Sequence, residues 1–298
     1  MGLLDGIRAS AAAIAGSSQF VSIEHDRVAE YARSLPVDKA LTPSLDPATH
    51  YLGAPDETLA YVVTLDAINF GSGYFPHLRK RPGMSGYFTV ASGLKDAWPI
   101  SLSRLAELSP SACASMFGQS LDDPAVAELM DLFAQALHQL AKFVTARGAF
   151  RSLVDSAEGS AERLASMLAE MPFYRDVGFY KRAQITAADL HTAGVATFTD
   201  LDRLTIFADN LVPHVLRVDG VLRYEPELLE RINRAQLIPS GSREEQEIRA
   251  NAVHAVELIS GALDRSVSPM QLDYLLWNRG QAPSYKAQPR HRARTVFY

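Results

Sequence analysis

Residues 242–263, SREEQEIRANAVHAVELISGAL, are the stretch with the clearest helical pattern. Ser242 can cap the first turn, and Glu245 lies three residues later, where its carboxylate can reach back to the Ser242 backbone in a capping box. Apolar side chains then recur at the three- and four-residue spacing of one helical face. They are Ile248, Ala252, Val256, Ile259 and Leu263. The stretch predicts a long amphipathic helix with one buried face.

The rest of the chain is also typical of helices. Residues 125–147 carry a second long apolar stripe that ends at Gly148. Residues 57–70 are apolar almost throughout and exceed the ~4–8 residues of a usual strand, so they predict a buried helix. Shorter helices are expected over residues 1–35, 160–171 and 180–190, while residues 85–96 fit a helix or a strand. Because alternating patterns are scarce, the sequence predicts an all-α, mostly helical fold with few or no strands.

The composition is that of an ordinary globular protein, with 298 residues of which 47% are hydrophobic and 21% charged. We expect one globular domain over residues 1–298, either compact or in two helical lobes with the site between them. The single cysteine, Cys113, excludes an intrachain disulfide and zinc motifs that need two cysteines. No apolar run reaches the ~20 residues of a membrane span. These features favour a cytoplasmic protein that has no membrane partner.

Common catalytic signatures are missing from the sequence. It contains no G-x-x-x-x-G-K-[ST], G-x-G-x-x-G, H-E-x-x-H or G-x-S-x-G motif, which excludes the usual NTPase, Rossmann, zincin and α/β-hydrolase arrangements. The eight histidines are dispersed, and no pair has the spacing of metal ligands. Cys113 lies among small residues, where a buried structural thiol is a simpler interpretation than a nucleophile. We therefore expect neither a metal nor another cofactor.

Three acids stand within apolar or aromatic sequence, namely Asp66, Asp209 and Asp273. A buried carboxylate must be paired, or its pKa rises. Taken singly, each of these acids is more often a helix cap or the partner of an arginine. Three together favour a functional site, because paired carboxylates beside aromatic rings suit the cleavage of a glycosidic bond.

Two basic segments complement these acids. Lys181 and Arg182 could bind a phosphate, or they could belong to a solvated helix face. The segment from Arg279 to Tyr298 carries five positive charges and no acid, which could attract phosphate or RNA. Because that segment ends in Val-Phe-Tyr, we expect it to dock on the protein instead. The net charge of −5 also argues against a nucleic-acid partner.

Several blocks of the sequence resemble the queuosine salvage protein family. The blocks are SGYF (85–88), YKRAQ (180–184), LTIFADNLVPHVL (204–216), GVLRY (220–224), PSGSREEQEIR (239–249), LDYLLW (272–277) and HRARTVFY (291–298). The similarity runs in family order from about Asp66 to the last residue. The resemblance implies an all-helical fold similar to the helix-hairpin-helix DNA glycosylases, without a metal. It also implies a queuosine 5′-phosphate N-glycosylase, which releases queuine and ribose 5-phosphate.

The resemblance assigns roles to individual positions. Asp273 corresponds to the catalytic carboxylate of the family, and Phe207, Asp209 and Tyr274 correspond to base-binding positions. Asn278 stands where family members often have Asp. Its amide can still hydrogen-bond a substrate but offers no charge.

The chemistry of queuine agrees with these roles. Queuine is a 7-deazaguanine without an N7 to protonate, so catalysis must act on the sugar side. Asp273 either stabilises an oxocarbenium-like state or adds covalently to C1′, and both mechanisms remain open. Asp209 could accept hydrogen bonds from the guanine-like N–H groups, and Phe207 could stack on the base.

Other parts of the substrate have less definite partners. The cationic secondary amine of the cyclopentenediol arm calls for a second acid, for which Asp66 and Asp200 are candidates. The 5′-phosphate could be held by Lys181 or Arg182. His50 or His77 could line the pocket, although each is more simply interpreted as a surface histidine. The candidate substrate-binding set is Phe207, Asp209, Tyr274, Asn278, Lys181 and His50.

Two other functions are compatible with the same residues. The first is a non-catalytic protein that binds queuine or another 7-deazaguanine, an interpretation that rests on Asn278 in place of Asp. The second is a glycosylase that acts on nucleic acid, suggested by the implied fold and the basic C-terminal segment. The acidic net charge and the lack of iron–sulfur cysteines argue against it. We therefore expect a nucleotide as the partner, without direct binding of nucleic acid.

Overall fold

The computed structural model describes residues 2–40 and 43–298. The first ten helices are α1 (Leu3–Gly16), α2 (His25–Ser34), α3 (Pro55–Ala67), α4 (Gly86–Ala97), α5 (Leu102–Leu105), α6 (Pro110–Phe117), α7 (Pro124–Thr145), α8 (Phe150–Asp155), α9 (Ala161–Leu168) and α10 (Lys181–Thr192). They are followed by α11 (Val212–Val218), α12 (Pro226–Asn233), α13 (Arg243–Ala262), α14 (Pro269–Arg279) and α15 (Pro283–Lys286). Short 3-10 helices span Val37–Ala40, Pro172–Tyr174 and Leu201–Arg203.

The prediction of a mostly helical fold is confirmed. The strands in the described residues form one small antiparallel sheet of β1 (Val21–Ile23) and β2 (Leu222–Tyr224). Each strand has three residues, which is too short for an alternating pattern to stand out in the sequence. The undecided stretch 85–96 is a helix, α4, whose first turn is capped by the Ser85 hydroxyl accepting from the Phe88 N–H.

The chain divides into two compact units. Unit 1 consists of Met1–Pro43, Asp176–Lys181 and Asp200–Arg294, and unit 2 of Ser44–Arg175, Arg182–Thr199 and Thr295–Tyr298. In unit 1 the long helix α13 packs against α1, α2, α11, α14 and the sheet. The apolar stripe that predicted α13 is buried, as expected for a helix packed on several sides.

The start of α13 differs in one respect from the predicted capping box. The Ser242 hydroxyl accepts from the Glu245 N–H as predicted, but the Ser242 N–H donates to the Pro239 carbonyl. The Glu245 carboxylate instead accepts from the Gly241 N–H and from Arg249. Because a buried arginine lies one turn away, Glu245 is drawn into an ion pair. The reciprocal capping box occurs at α14, between Ser268 and Gln271.

Unit 2 is organised around α7, which packs against α3, α5 and α6. Phe133 of α7 contacts Phe70 and Phe117 edge-on, with ring centroids 5.1 and 5.5 Å apart. Cys113 is buried as predicted, and burial raises the pKa of its thiol to about 12, which disfavours a reactive thiolate. The C-terminal end is docked as predicted, because Tyr298 is buried and its carbonyl accepts from the Gly71 N–H.

Among the described residues, no helix combines the length and the apolar character that crossing a membrane requires.

Candidate active site

The centre of the candidate site is the carboxyl group of Asp273 on α14. The Ser268–Gln271 capping box and Pro269 fix the start of this helix, and its buried face carries Leu272, Asp273 and Leu276 inward. Asp273 is 5% exposed, and one of its carboxyl oxygens accepts from the Phe207 N–H at 2.9 Å. The structure therefore brings together two residues that the sequence places 66 positions apart.

The surroundings of Asp273 favour its protonated form. Burial and the nearby negative charge of Asp209 raise the pKa of Asp273 from 3.8 to about 8. The hydrogen bond from Phe207 and the positive charge of Lys181 act in the opposite direction and lower this pKa. Four predicted site residues, Asp273, Phe207, Asp209 and Lys181, thus form one electrostatic cluster within unit 1. A group whose pKa lies close to neutrality is typical of functional sites.

Asp209 is half-buried, and its carboxylate binds backbone N–H groups just before α11. One of its carboxylate oxygens accepts from the Leu211 N–H at 2.7 Å and from the Val212 N–H at 3.2 Å, at the beginning of α11. The next residue, Asn210, donates from its amide to the His291 carbonyl at 3.3 Å. The Asp209 carboxylate therefore accepts from backbone N–H groups at the beginning of α11, and its negative charge also acts on Asp273.

Lys181 is buried at the first turn of α10, where the chain takes an unusual path. Tyr180 has a positive φ of 49°, a conformation that is uncommon for a residue with a side chain. The Asp176 carbonyl accepts from the Tyr180 N–H at 2.7 Å, and the Asp176 carboxylate accepts from the Lys181 N–H at 3.2 Å. Asp176 therefore fixes the backbone that presents Lys181.

Tyr274 and Asn278 lie on the more exposed side of α14, because consecutive helical residues point about 100° apart. Together with Pro36, Leu275 and Arg279 they line an open cavity of about 480 Å³ within unit 1. The Asn278 amide donates to the Tyr274 carbonyl at 2.8 Å, one turn back along the helix. Its carboxamide oxygen can still accept a hydrogen bond.

Arg182 is engaged in the interior of unit 2. Its guanidinium donates to the carbonyls of Phe173, Ala67 (2.6 Å) and Asp66 (3.3 Å), and it lies over the rings of Phe70 and Tyr174. At 1% exposure its donors are directed at backbone oxygens. Of the two predicted phosphate ligands, Lys181 is therefore the better candidate.

The first histidine candidate, His50, is 4% exposed in unit 2, so the expectation of a surface histidine is wrong there. Its Nδ1 lies 3.1 Å from the Asp46 carbonyl, which can only accept, so Nδ1 carries the proton and Nε2 accepts from the Tyr87 hydroxyl at 3.0 Å. Burial also lowers the pKa of His50, which keeps the ring neutral.

The remaining candidates, His77, Asp66 and Asp200, differ in how far they are buried and in their partners. His77 is exposed and pairs with Asp123, as expected for a surface histidine. Asp66 is fully buried on α3 and accepts from the Asn69 amide at 3.3 Å. Asp200 is half-buried at the start of the 3-10 helix Leu201–Arg203.

Two buried charged residues near the cluster were not singled out from the sequence. Arg249 on α13 donates to the carboxylate of Asp176 through both terminal nitrogens, at 2.9 and 2.5 Å. The sequence contains a signal for Arg249, since it falls on the apolar face of α13 between Glu245 and Ala252. A charge on a buried helical face requires a partner. Asp176 lies in a loop and carries no comparable signal.

The described residues contain no cluster of three or more histidine, cysteine or acidic side chains that could hold a metal ion. The charged groups of the site are Asp273 itself, a second acid, Asp209, that binds backbone N–H groups, and Lys181. Such a set can bind a polar ligand and stabilise positive charge.

The fold and the site define a mostly helical protein with a buried carboxyl group of raised pKa beside a second acid and a lysine, which is a candidate site for a polar ligand. The comparison with known families identifies the family. The queuosine salvage protein model matches residues 49–298, and the chain belongs to this family. The resemblance noted in the sequence is confirmed.

Named relatives extend the similarity over the whole chain. A Sphaerobacter thermophilus protein named queuosine 5′-phosphate N-glycosylase/hydrolase is 33% identical, with 98% of each chain covered. A Mus musculus protein of the same name is 30% identical, also with 98% of each chain covered. A third protein of that name, from Dictyostelium discoideum, is 32% identical over 81% of this chain and 78% of its own.

Proposed function

We propose that this protein hydrolyses the N-glycosidic bond of queuosine 5′-monophosphate and releases queuine and ribose 5-phosphate. Family membership and the names of the full-length relatives support this activity. The structural observation that carries the proposal is the buried carboxyl group of Asp273, which Phe207, Asp209 and Lys181 surround in unit 1. A cytoplasmic location and the absence of a nucleic-acid partner stay predictions of the sequence.

The proposed reaction takes place on the sugar side of the bond. The bond between C1′ and the base nitrogen breaks, and its electron pair leaves with the base. Water supplies a hydroxyl group to C1′ and, overall, one proton to the base. Because positive charge develops on the sugar, an ionised Asp273 next to C1′ stabilises the transition state or forms a transient bond to C1′. The developing cation favours the ionised form of Asp273, even though burial alone disfavours it.

Recognition of the base is assigned to Asp209, Phe207 and Tyr274. The free oxygen positions of the Asp209 carboxylate can accept from the paired N–H donors of the guanine-like edge. The ring of Phe207 can stack on the base, and Tyr274 lines the adjacent cavity. Asn278 lines the same cavity and contributes a carboxamide oxygen as an acceptor.

Lys181 is assigned to the phosphate-bearing end of the substrate. It is a buried cation that acts on Asp273, whose pKa it lowers. An ammonium group in this position attracts the dianionic 5′-phosphate and keeps Asp273 easier to ionise. His50 belongs to unit 2, where Nδ1 donates to the Asp46 carbonyl and Nε2 accepts from the Tyr87 hydroxyl, so its role as a substrate ligand stays a prediction of the sequence.

The test is hydrolysis of queuosine 5′-monophosphate by the wild-type protein and Asp273→Asn, with free queuine as the readout. We expect release by the wild type and a loss of more than about 1,000-fold in kcat for the variant, as for removal of a catalytic carboxylate. Asp202→Asn is the matched control, because Asp202 is an exposed acid of the same unit. Tight binding of queuine without hydrolysis by the wild type would favour the non-catalytic binder instead.

A further inference from the structure

A buried ion pair joins the loop that carries Phe207 and Asp209 to the segment that leads into Lys181. Arg249 on α13 is 2% exposed, and its Nε donates to the Ala208 carbonyl at 2.9 Å. Its two terminal nitrogens donate to both carboxylate oxygens of Asp176, and one of them also reaches Glu245 at 3.3 Å. The guanidinium carbon lies 4.0 Å from the centre of the Phe179 ring. Every edge of the guanidinium is therefore used within unit 1.

Arg249 and Asp176 each form a hydrogen bond with the backbone at or next to a candidate site residue. Ala208 stands between Phe207, whose N–H holds Asp273, and Asp209, whose charge acts on Asp273. Asp176 accepts from the backbone N–H of Lys181 at 3.2 Å and, through its carbonyl, from Tyr180. One arginine thus connects the backbone of the Phe207–Asp209 loop with the backbone that presents Lys181.

The geometry requires an arginine. A guanidinium has donors on three nitrogens in a fixed plane, so it can serve a carbonyl on one edge and a carboxylate on another. A lysine carries the same charge but cannot hold both partners in one plane. A buried charge is costly unless it is well paired. Here Asp176, Glu245 and the Phe179 ring compensate that cost.

We propose that Arg249 and Asp176 are positioning residues for the reaction at Asp273, because they hold the Phe207–Asp209 loop and the Lys181 backbone at a fixed separation. Their proposed effect is indirect, through the backbone at Ala208 and at Lys181. The inference rests on the proposed function for its kinetic readout. Its structural readout, the protection of the Phe207 amide, is independent of any activity.

The proposal predicts a specific change at Asp273. When the Ala208 carbonyl loses its partner, the Phe207 N–H moves away from the Asp273 carboxyl group. That hydrogen bond lowers the pKa of Asp273, so its loss raises the pKa further. The other charged groups that act on Asp273 are Asp209 on the loop and Lys181 at the start of α10, the two segments that the ion pair holds.

The experiment compares Arg249→Lys and Asp176→Asn with the wild type in two measurements. The first is the pH profile of kcat/KM for queuosine 5′-monophosphate. The second is amide hydrogen exchange over residues 204–211 in the protein without substrate. Arg8→Lys is the matched control, since Arg8 also pairs with an acid of α13, Glu257, at 2.8 Å. Asp176→Asn keeps the shape of the side chain and provides the test if Arg249→Lys does not fold.

We expect kcat/KM to fall about 100-fold in both variants, in line with the effect of a displacement of ~1 Å at a reacting centre. The acidic limb of the profile should move to higher pH, and residues 204–211 should exchange faster than in the control. A merely structural role predicts lower thermal stability with an unchanged limb and unchanged local exchange. That result would overturn the proposal.

The two proposals fail in different ways. If the wild type releases no queuine, the proposed function fails, and exchange over residues 204–211 alone then decides the positioning role. If the wild type is active and both variants keep its pH limb and its local exchange, the positioning role is wrong while the function stands.

Discussion

The backbone N–H of Phe207 donates to the carboxyl group of Asp273 at 2.9 Å, and this hydrogen bond joins the loop before α11 to the buried face of α14. It is a directional contact on a group that is otherwise desolvated. A carboxyl group held in this way has a fixed orientation, and its charge state depends on charged neighbours from this loop and from the start of α10. Asp209, two residues beyond Phe207, opposes ionisation, and Lys181 favours it.

The first prediction concerns stability against pH. The pKa of Asp273 is about 8 in the folded chain and close to 3.8 when unfolded, so the folded state binds the proton more tightly. The free energy of unfolding therefore falls as the pH rises between these values, by up to about 1.4 kcal/mol per pH unit. Because a carboxamide cannot ionise, the Asp273→Asn variant should escape this loss.

Urea unfolding of both proteins at several pH values between about 5 and 8 measures the difference. We expect the variant to gain stability over the wild type as the pH rises, since an amide resembles the protonated acid. Asp202→Asn, which changes an exposed acid, should show no such trend. Parallel curves for wild type and Asp273→Asn would show that the pKa of Asp273 is not raised.

The second prediction concerns the pH dependence of catalysis. If the ionised form of Asp273 is the active one, kcat/KM should rise about tenfold per pH unit below about pH 8 and level off above it. Lys181→Met removes the positive charge that lowers the pKa of Asp273, so the break in the profile should move to higher pH. A steady-state profile of both proteins over about pH 5 to 9.5 tests this shift. A break at the same pH in both proteins would show that the charge of Lys181 does not affect the pKa of Asp273.

The third prediction concerns Asp209, which has two roles that a single variant can separate. The carboxamide oxygen of asparagine can accept the same two backbone hydrogen bonds as one carboxylate oxygen, so Asp209→Asn should retain the start of α11 and the stability of the protein. The loss of a charge-assisted hydrogen bond to the base should lower kcat/KM by about 10- to 100-fold. Thermal unfolding and steady-state kinetics measure the two effects.

The same variant also changes the charge near Asp273. Because the negative charge of Asp209 raises the pKa of Asp273, the break in the pH profile should move to lower pH in Asp209→Asn. This is opposite to the shift expected for Lys181→Met. A large loss of stability without a shift of the break would show that Asp209 only holds the backbone before α11 and does not act on Asp273.

The long helices could be predicted from the sequence because their apolar spacing is regular over many turns. Residues 242–263 and 125–147 are helical over nearly their whole length and buried on the predicted face. Strands of three residues, such as Val21–Ile23, leave no periodic signal and form only because a distant segment pairs with them. The predicted capping box at Glu245 was wrong because its carboxylate pairs with Arg249 instead. The capping pattern alone does not show that Arg249 is buried and needs a partner.

Only part of the candidate site could be predicted from the sequence. Asp273 and Asp209 stood out as acids in apolar sequence, and the family resemblance connected them. The sequence could not show which of Lys181 and Arg182 faces the candidate site. Adjacent residues of a helix point in different directions, and the sequence does not reveal which direction leads to the site. Only the three-dimensional structure shows Arg182 directed at backbone carbonyls of unit 2. Asp176 lies in a loop without periodicity, so its pairing with Arg249 had no sequence signal.

The last prediction tests the assignment of Arg182 to structure. Its guanidinium donates to the carbonyls of Ala67 and Phe173 and lies 4.6 Å from the Tyr174 ring centre. Arg182→Met removes these donors and leaves the carbonyls buried, which should lower the free energy of unfolding by about 3 kcal/mol or more. Arg175→Met is the matched control, since Arg175 also donates to backbone carbonyls but is exposed.

Urea unfolding and the KM for queuosine 5′-monophosphate together decide between structure and phosphate binding. For the fraction of Arg182→Met that remains folded, we expect a KM within about twofold of the wild type, because a residue that does not contact the substrate contributes no binding energy. The control should leave both quantities unchanged. Normal stability with a KM raised about 10-fold or more would instead return Arg182 to the phosphate site, since charge-assisted contacts to phosphate are worth about 1.5–3 kcal/mol.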